Sequence, residues 1–292
     1  MRSQPVAVIG VGLTGAPLAE HLSRSHPVIV WDIDPAKLSR VSNQKVEVAG
    51  SAGEAAKNAD RLIIDLFDDD AVRACCTGPD GLITGVRPGA TVIDLSTTSL
   101  ETKLWLQSEL GERRARLVEA PFFGSVDEIS RGSIWTVVGC DEDVWPEAQT
   151  LLESFSRATR IGDVGAATRF KLAANVLTFS MVQLIAEAIA LARALHVDPQ
   201  TLLDVIADGT GVRAPIYQVK GRAMVAEDFE PRATVGLARK DLQLILEAAA
   251  ESDLDLPLTE ATKRQFDAAA RAGWGNSDMA RVFQLLDGSA ND

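Results

Sequence analysis

The sequence predicts an α/β chain in two parts, a doubly wound sheet followed by an all-helical half, and three features carry that prediction. Short β-branched apolar runs alternate with helical stretches as far as Gly162. Strand-like runs then stop. A glycine-rich turn separates the first apolar run from the first helical stretch. Buried strands alternating with helices imply a largely parallel sheet with right-handed crossovers.

The opening unit is the most specific. Val6-Ala7-Val8-Ile9 reads as a buried strand, and Gly10-Val11-Gly12-Leu13-Thr14-Gly15 follows at once. In such a turn the first glycine permits the tight bend and the second lets backbone approach a pyrophosphate. The third lets the helix pack closely on the sheet. Leu18 and Leu22 stand one helical turn apart in the stretch beyond. The next apolar run ends in Asp32, placed to accept hydrogen bonds from a ribose 2′-hydroxyl and to repel a 2′-phosphate. Strand, glycine turn, helix, strand and acid make a Rossmann-type dinucleotide-binding unit. With Asp34 close behind, two carboxylates favour NAD over NADP, unless Lys37 or Arg40 swings in.

Further strands are expected at 61–66, 90–95, 116–120 and 133–138, with a weaker one at 158–161. The polar turn Ser96-Thr97-Thr98 follows the second of these. From 166 to 195 the chain has no Gly or Pro and is apolar around most of its helical circumference, through Phe170, Leu172, Val176, Leu177, Phe179 and others. Such a helix is expected to be buried, here as the central helix joining the halves, with a second subunit against it. Arg169, Lys171, Gln183 and Glu187 interrupt it for a bilayer, and no run is expected to approach membrane-spanning length. More helices are expected at 199–208, 215–226, 234–252, 258–272 and 278–287, with 288–292 frayed. The division is then 1–162 for dinucleotide binding and 163–292 for a helical substrate and dimerisation domain. The remaining Trp and Phe side chains read as core.

A net charge of −12 over 292 residues argues against nucleic acid and against anionic membranes as partners. Cys75, Cys76 and Cys140 lack metal-ligand spacing, so no metal is expected. Adjacent Cys75-Cys76 would make a strained bridge. Reduced thiols and an N-terminus without a charged leader point to the cytoplasm.

Lys171 and Asn175 stand at i and i+4 on one face of the central helix, where the chain leaves the nucleotide domain. A partly desolvated lysine there can exchange a proton near neutrality. Spacing alone reads more readily as a lysine whose stem lies along an apolar helix while its head stays in water.

Five blocks in order change that balance. They are Gly10 to Gly15; Asp94-Leu95-Ser96-Thr97-Thr98-Ser99; Ala120-Pro121-Phe122-Phe123-Gly124; Gly162 and Gly165 ahead of Lys171 and Asn175; and Lys240-Asp241-Leu242. Together the chain resembles the β-hydroxyacid dehydrogenase family, which includes 3-hydroxyisobutyrate dehydrogenases and tartronate semialdehyde reductases. The resemblance implies an NAD(P)-dependent enzyme acting on a small, carboxylate-bearing β-hydroxy acid or its semialdehyde or keto form. Lys171 would be the acid/base, and Asn175 would hold the substrate. Gly124, between Phe123 and Ser125, would offer its N–H to the substrate carboxylate. Gly10, Gly12, Leu13, Thr14, Gly15, Asp32, Leu66, Ser96, Thr97 and Lys240 would bind the cofactor. A homodimer or homotetramer is implied. By itself, Lys240-Asp241 reads as an exposed charge pair.

Departures from the pattern matter too. Relatives usually carry Ser-Gly-Gly where Phe123-Gly124-Ser125 stands, so a hydroxyl is missing and aromatic bulk is present. Substrate preference is therefore expected to differ from that of the small-acid prototypes. Ala167 replaces a frequent second glycine, and Asp32-Ile33-Asp34 replaces an Asn-Arg-Thr that pairs a 2′-phosphate. Arg169, Arg213 and Arg239 offer extra anion binding, though each also reads as an ordinary surface arginine. Imine reductases share the architecture but typically replace the lysine with Asp or Tyr; retained Lys171 favours carbonyl and alcohol chemistry. A non-catalytic dinucleotide-binding scaffold is the other alternative, disfavoured by the intact Lys171 and Asn175.

Overall fold

The structure is a computed structural model that describes residues 5–39, 41, 45–209 and 214–286. The chain divides into two compact units, Met1–Lys171 and Leu172–Asp292. Arg40, Arg213 and the stretch 288–292 lie outside the described residues.

The first unit is built on one sheet. Its strands are β1 (Val6–Ile9), β2 (Val28–Trp31), β3 (Val46–Val48), β4 (Arg61–Ile64), β5 (Thr91–Asp94), β6 (Arg116–Glu119), β7 (Phe122–Phe123), β8 (Ile134–Gly139) and β9 (Ser156–Gly162). Their order is β3-β2-β1-β4-β5-β6-β8-β7, with β9 beside β8. Strands β1 to β6 pair in parallel. β8 runs antiparallel to β6 and β7 and parallel to β9. The chain winds outward in both directions from the β1–β4 pair, leaving the topological switch point at their carboxyl ends. β1 is wholly buried because helices cover both faces. Val6 and Val8 join one core with Leu18, Leu22 and Val30, while Ala7 and Ile9 join a second with Ala55, Leu62 and Ile64.

Strands β3 and β7 are not expected from the sequence. Glu47 and Val48 are exposed on an edge, so burial imposes no alternation there, and β7 is two residues long. Among the later helices, 215–226 is a π-helical turn, Tyr217–Gly221, running into Arg222–Val225. The 258–272 helix is Pro257–Ala269 followed by a π-helical turn. The 278–287 helix is instead a 3₁₀ helix, Met279–Leu285. Buried Asp278 holds that tight winding: it accepts from Ala280 N–H at 3.0 Å and from Lys220 Nζ at 2.8 Å. Burial pushes the Lys220 ammonium pKa down, and the Asp278 carboxylate opposes that shift. Helices Pro199–Gly209 and Val235–Ala250 stand close to expectation.

The central helix spans Ala166–Ala194, but it is not buried all round. Phe179, Val182, Ile185 and Ile189 enter the second unit's core with Met224, Leu242, Phe266 and Phe283. Phe170 (48%), Leu177 (67%), Leu184 (51%) and Leu191 (60%) are exposed. Uniform apolarity around this helix therefore conceals two differently placed faces. Its 29-residue length and mean hydropathy of 1.6 also correct the expectation about membrane-spanning length: the helix is long and apolar enough to cross a bilayer, as a core helix can be, and half of its apolar stretch is buried. Trp135 and Phe67 are likewise exposed rather than core.

Candidate functional site

The glycine turn locks onto its neighbours. Gly10 has φ +91°, and a Cβ there would run into the Asp65 carbonyl. A Cβ on Gly15 would strike the Gly10 carbonyl, whereas one on Gly12 would meet nothing within 4 Å. The first and third glycines are thus required by the fold, and the second leaves space for an approaching group. Thr14 Oγ1 donates to the Asp65 carboxylate. Leu13 is partly exposed. Asp32, buried at the end of β2, accepts from Val11 N–H and Asp34 N–H, each at 2.9 Å, and Lys37 Nζ lies 3.5 Å away. An open Gly12 beside a fixed carboxylate fits a dinucleotide.

At the end of β5 a buried ion pair braces the next turn. Lys103 and Asp94 are both fully buried and joined, and Lys103 Nζ also donates to Ser96 O at 2.9 Å. Ser96 N–H donates to Asp94 at 2.8 Å, and the Ser96 hydroxyl accepts from Leu66 N–H at 2.9 Å. Ser96 therefore ties the turns after β4 and β5 together, with Thr97 half-buried beside it. Lys103 was missed in the sequence. Its signal was a lysine at helical spacing from Leu106 and Leu110 on an apolar face.

Glu119, at the end of β6, grips the start of the central helix. It accepts from Gly165 N–H at 2.6 Å, Ala167 N–H at 2.8 Å and Thr168 Oγ1 at 2.6 Å. Burial raises its pKa, and these hydrogen bonds and Lys103 oppose the rise. The Lys171 side chain, within the second turn of this helix, lies over β7. Its Nζ donates to Phe122 O at 2.6 Å, 4.1 Å from the Phe123 ring centroid. Phe123 meets Phe170 edge-on at 6.1 Å. Gly124 has φ +151°, and a Cβ there would come within 2.6 Å of Ile134. Ser125 is the N-cap of the short helix Val126–Arg131 in a full capping box. Its N–H and hydroxyl donate to Glu128 Oε2 at 2.7 and 2.9 Å.

In the second unit, buried Asn175 donates through Nδ2 to Asp241 at 2.9 Å, and Lys240 Nζ pairs with Asp241 at 2.7 Å. The Lys240 and Asp241 side chains are only 15% and 4% exposed, so this is no exposed charge pair. Asp241, absent from the expected site residues, was visible only as the middle of Lys240-Asp241-Leu242. Arg239 pairs with Asp267 at 3.0 Å, and Arg169 is exposed. Among the described residues no cluster of His, Cys, Asp or Glu could hold a metal. The three cysteines are free and buried, and burial pushes the Cys140 thiol pKa up.

Residues 5–165 match the family model for the NAD binding domain of 6-phosphogluconate dehydrogenase, and residues 165–286 match one described as NAD-binding of NADP-dependent 3-hydroxyisobutyrate dehydrogenase. The chain belongs to the β-hydroxyacid dehydrogenase family, of the 3-hydroxyisobutyrate dehydrogenase type. As a member of that family it is an NAD(P)-binding oxidoreductase. An uncharacterized oxidoreductase of Bacillus subtilis, YfjR, is 29% identical, covering 96% of this chain and 99% of its own. The 2-(hydroxymethyl)glutarate dehydrogenase of Eubacterium barkeri is 25% identical, with 98% and 96% covered. The Mycobacterium tuberculosis 3-hydroxyisobutyrate dehydrogenase, solved with L-serine, superposes with a TM-score of 0.84 at 27% identity, over 97% of this chain and 99% of that one.

Proposed function

We propose that this 3-hydroxyisobutyrate dehydrogenase-type chain interconverts the carbinol of a β-hydroxy acid or close analogue and the corresponding carbonyl, with NAD as its preferred cofactor and Lys171 as the proton carrier. The observation that carries the reading is the Lys171 ammonium, drawn onto the Phe122 carbonyl at 2.6 Å and the Phe123 ring rather than extended into water. A nicotinamide dinucleotide, when bound, supplies the hydride acceptor or donor. As the neutral amine Lys171 takes the carbinol proton on oxidation, and as the ammonium it returns the proton on reduction. Phe122 and Phe123 give it apolar walls that hold off water. Asn175, its amide nitrogen engaged by Asp241, has its carbonyl oxygen to offer a substrate hydroxyl. Buried Asp32 disfavours a 2′-phosphate, and Lys37 beside it moderates that repulsion, so NADP remains the weaker cofactor. Residues 1–162 carry the dinucleotide and 163–292 the substrate and subunit contacts. A second copy of the chain covers the exposed stripe Phe170, Leu177, Leu184 and Leu191, whose seven-residue spacing is self-complementary in an antiparallel pair. Buried, free cysteines support a cytoplasmic location.

The test measures NAD⁺ and NADP⁺ reduction across a panel of β-hydroxy acids and their esters, with wild type and Lys171→Ala. Loss of a general acid/base is expected to lower kcat by roughly 10²–10⁴-fold, with NAD affinity retained. Near-normal turnover in Lys171→Ala would sink the lysine's role. A higher kcat/KM with NADP⁺ would overturn the cofactor preference.

A further inference from the structure

The turn after β4 carries the carboxylates Asp65, Asp68, Asp69 and Asp70, and they are placed differently. Asp68 caps the helix Asp69–Cys76 by accepting from Ala71 N–H at 2.8 Å. Asp69 accepts from Ser99 N–H at 3.0 Å, at the start of the helix Leu100–Glu112. Asp70 is exposed. Asp65 is directed the other way, onto the glycine turn. Its N–H donates to Ile9 O at 2.9 Å, which fixes its backbone beside β1. Its carbonyl is the group that a Cβ on Gly10 would strike, and its Oδ2 lies 3.6 Å from where a Cβ on Gly15 would sit. Thr14, the N-cap of the helix Gly15–Leu22, makes no capping bond with its hydroxyl and donates it to Asp65 instead. That helix has no acidic residue in its own first turn. Asp65 therefore brings a negative charge from another strand to the positive end of the helix, where a dinucleotide pyrophosphate binds.

We propose that Asp65 is a built-in counter-ion of the pyrophosphate site, which stabilises the helix N-terminus in the cofactor-free protein and weakens the hold on NAD(P) when the cofactor enters. It acts through the dinucleotide binding shared by the family, whatever the substrate, the preference for NAD or the role of Lys171. A carboxylate beside the first turn of a helix is favourable because partial positive charge gathers on the N–H groups there. An approaching pyrophosphate is drawn to the same groups. Asp65 cannot withdraw, since the Ile9 hydrogen bond holds its backbone, and the two anions share one pole. Over one helical turn, ~5 Å, like charges in partly solvated surroundings repel enough to change affinity severalfold. Asp32 tells one cofactor from the other at the ribose. Asp65 acts on the phosphates common to both, so it lowers both affinities alike.

The deciding experiment titrates NAD⁺ and NADP⁺ into wild type, Asp65→Asn and Asp70→Asn by calorimetry, at low salt and at about 0.5 M salt. A thermal melt of each protein without cofactor accompanies it. Asparagine keeps an oxygen for the Thr14 hydroxyl while the charge goes. Asp70→Asn removes the same charge from an exposed position of the same turn. Asp65→Asn is expected to bind both cofactors at least threefold more tightly than wild type at low salt, and to lose most of that gain at high salt. Its Tm without cofactor should fall, because the helix loses its counter-charge. Asp70→Asn should change affinity less than twofold. Unchanged or weaker binding by Asp65→Asn at low salt overturns the proposal, as does an equal gain in Asp70→Asn, a gain that high salt leaves intact, or binding of neither cofactor by any of the proteins. A carboxylate with only a structural role would lower Tm and loosen the cofactor together, never tighten it. Failure of the preference for NAD looks different: NADP⁺ binds wild type more tightly, and Asp65→Asn still tightens both.

Discussion

Gly10 and Gly12 differ in what a methyl group would meet, and that difference separates folding from binding. Gly10→Ala places a side chain at φ +91° against the Asp65 carbonyl. Backbone strain of that kind costs about 1–3 kcal/mol before the clash is counted. Gly12→Ala meets nothing within 4 Å. The expected outcome is a lowered Tm for Gly10→Ala, against an unchanged Tm and weakened NAD binding for Gly12→Ala, read by thermal melts and titration calorimetry. A similar fall in Tm for both would show Gly12 to be structural. The two glycines and Asp32 were legible because tight turns and phosphate approach constrain residue type at fixed spacing. Lys103 and Asp241 were not. A charged residue on an apolar helix face looks the same whether it reaches water or a buried partner, and only the fold brought Asp94 to Lys103.

At the scale of elements, the grip of β6 on the central helix is pH-dependent. Burial raises the Glu119 pKa, so the folded protein binds that proton more tightly than the unfolded chain. Stability from this group is full below the ordinary carboxylate pKa and is lost as pH rises through the raised folded value. The stability of wild type relative to Glu119→Gln should accordingly fall as pH rises above the ordinary carboxylate range, measured by urea unfolding at several pH values. A flat difference would mean that the hydrogen bonds from Gly165, Ala167 and Thr168 cancel the desolvation. Strands β1, β2, β4, β5 and β6 were legible because burial on both faces demands continuous apolar runs. The reversed direction of β8 was not, since alternation in Ile134–Gly139 is the same either way along the chain. β3 escaped notice because an exposed edge puts no demand on its side chains. The 3₁₀ winding of Met279–Leu285 depends on Asp278, whose partner Lys220 is remote in sequence.

For the whole molecule, the consequential surface is the apolar stripe along Ala166–Ala194. Leu177 and Leu184 are more than half exposed, an unusual position for large apolar side chains on one continuous helix face. Sedimentation of wild type should show a dimer or larger assembly. Leu177→Glu combined with Leu184→Glu should shift it toward monomer without lowering Tm in dilute solution by more than the lost association explains. A wild-type monomer at micromolar concentration would remove the second copy from the proposal. The sequence disclosed that this helix is apolar; it could not disclose which apolar face the chain itself covers.

The boundary between the two units falls immediately after Lys171. Lys171, its Phe122 anchor and the Glu119 grip all belong to residues 1–171, while Asn175 and Asp241 belong to the remainder. For recombination between relatives, a crossover at that point transmits Lys171, the proposed proton carrier, with its supports as one heritable piece. Everything downstream can then vary without rebuilding the surroundings of Lys171.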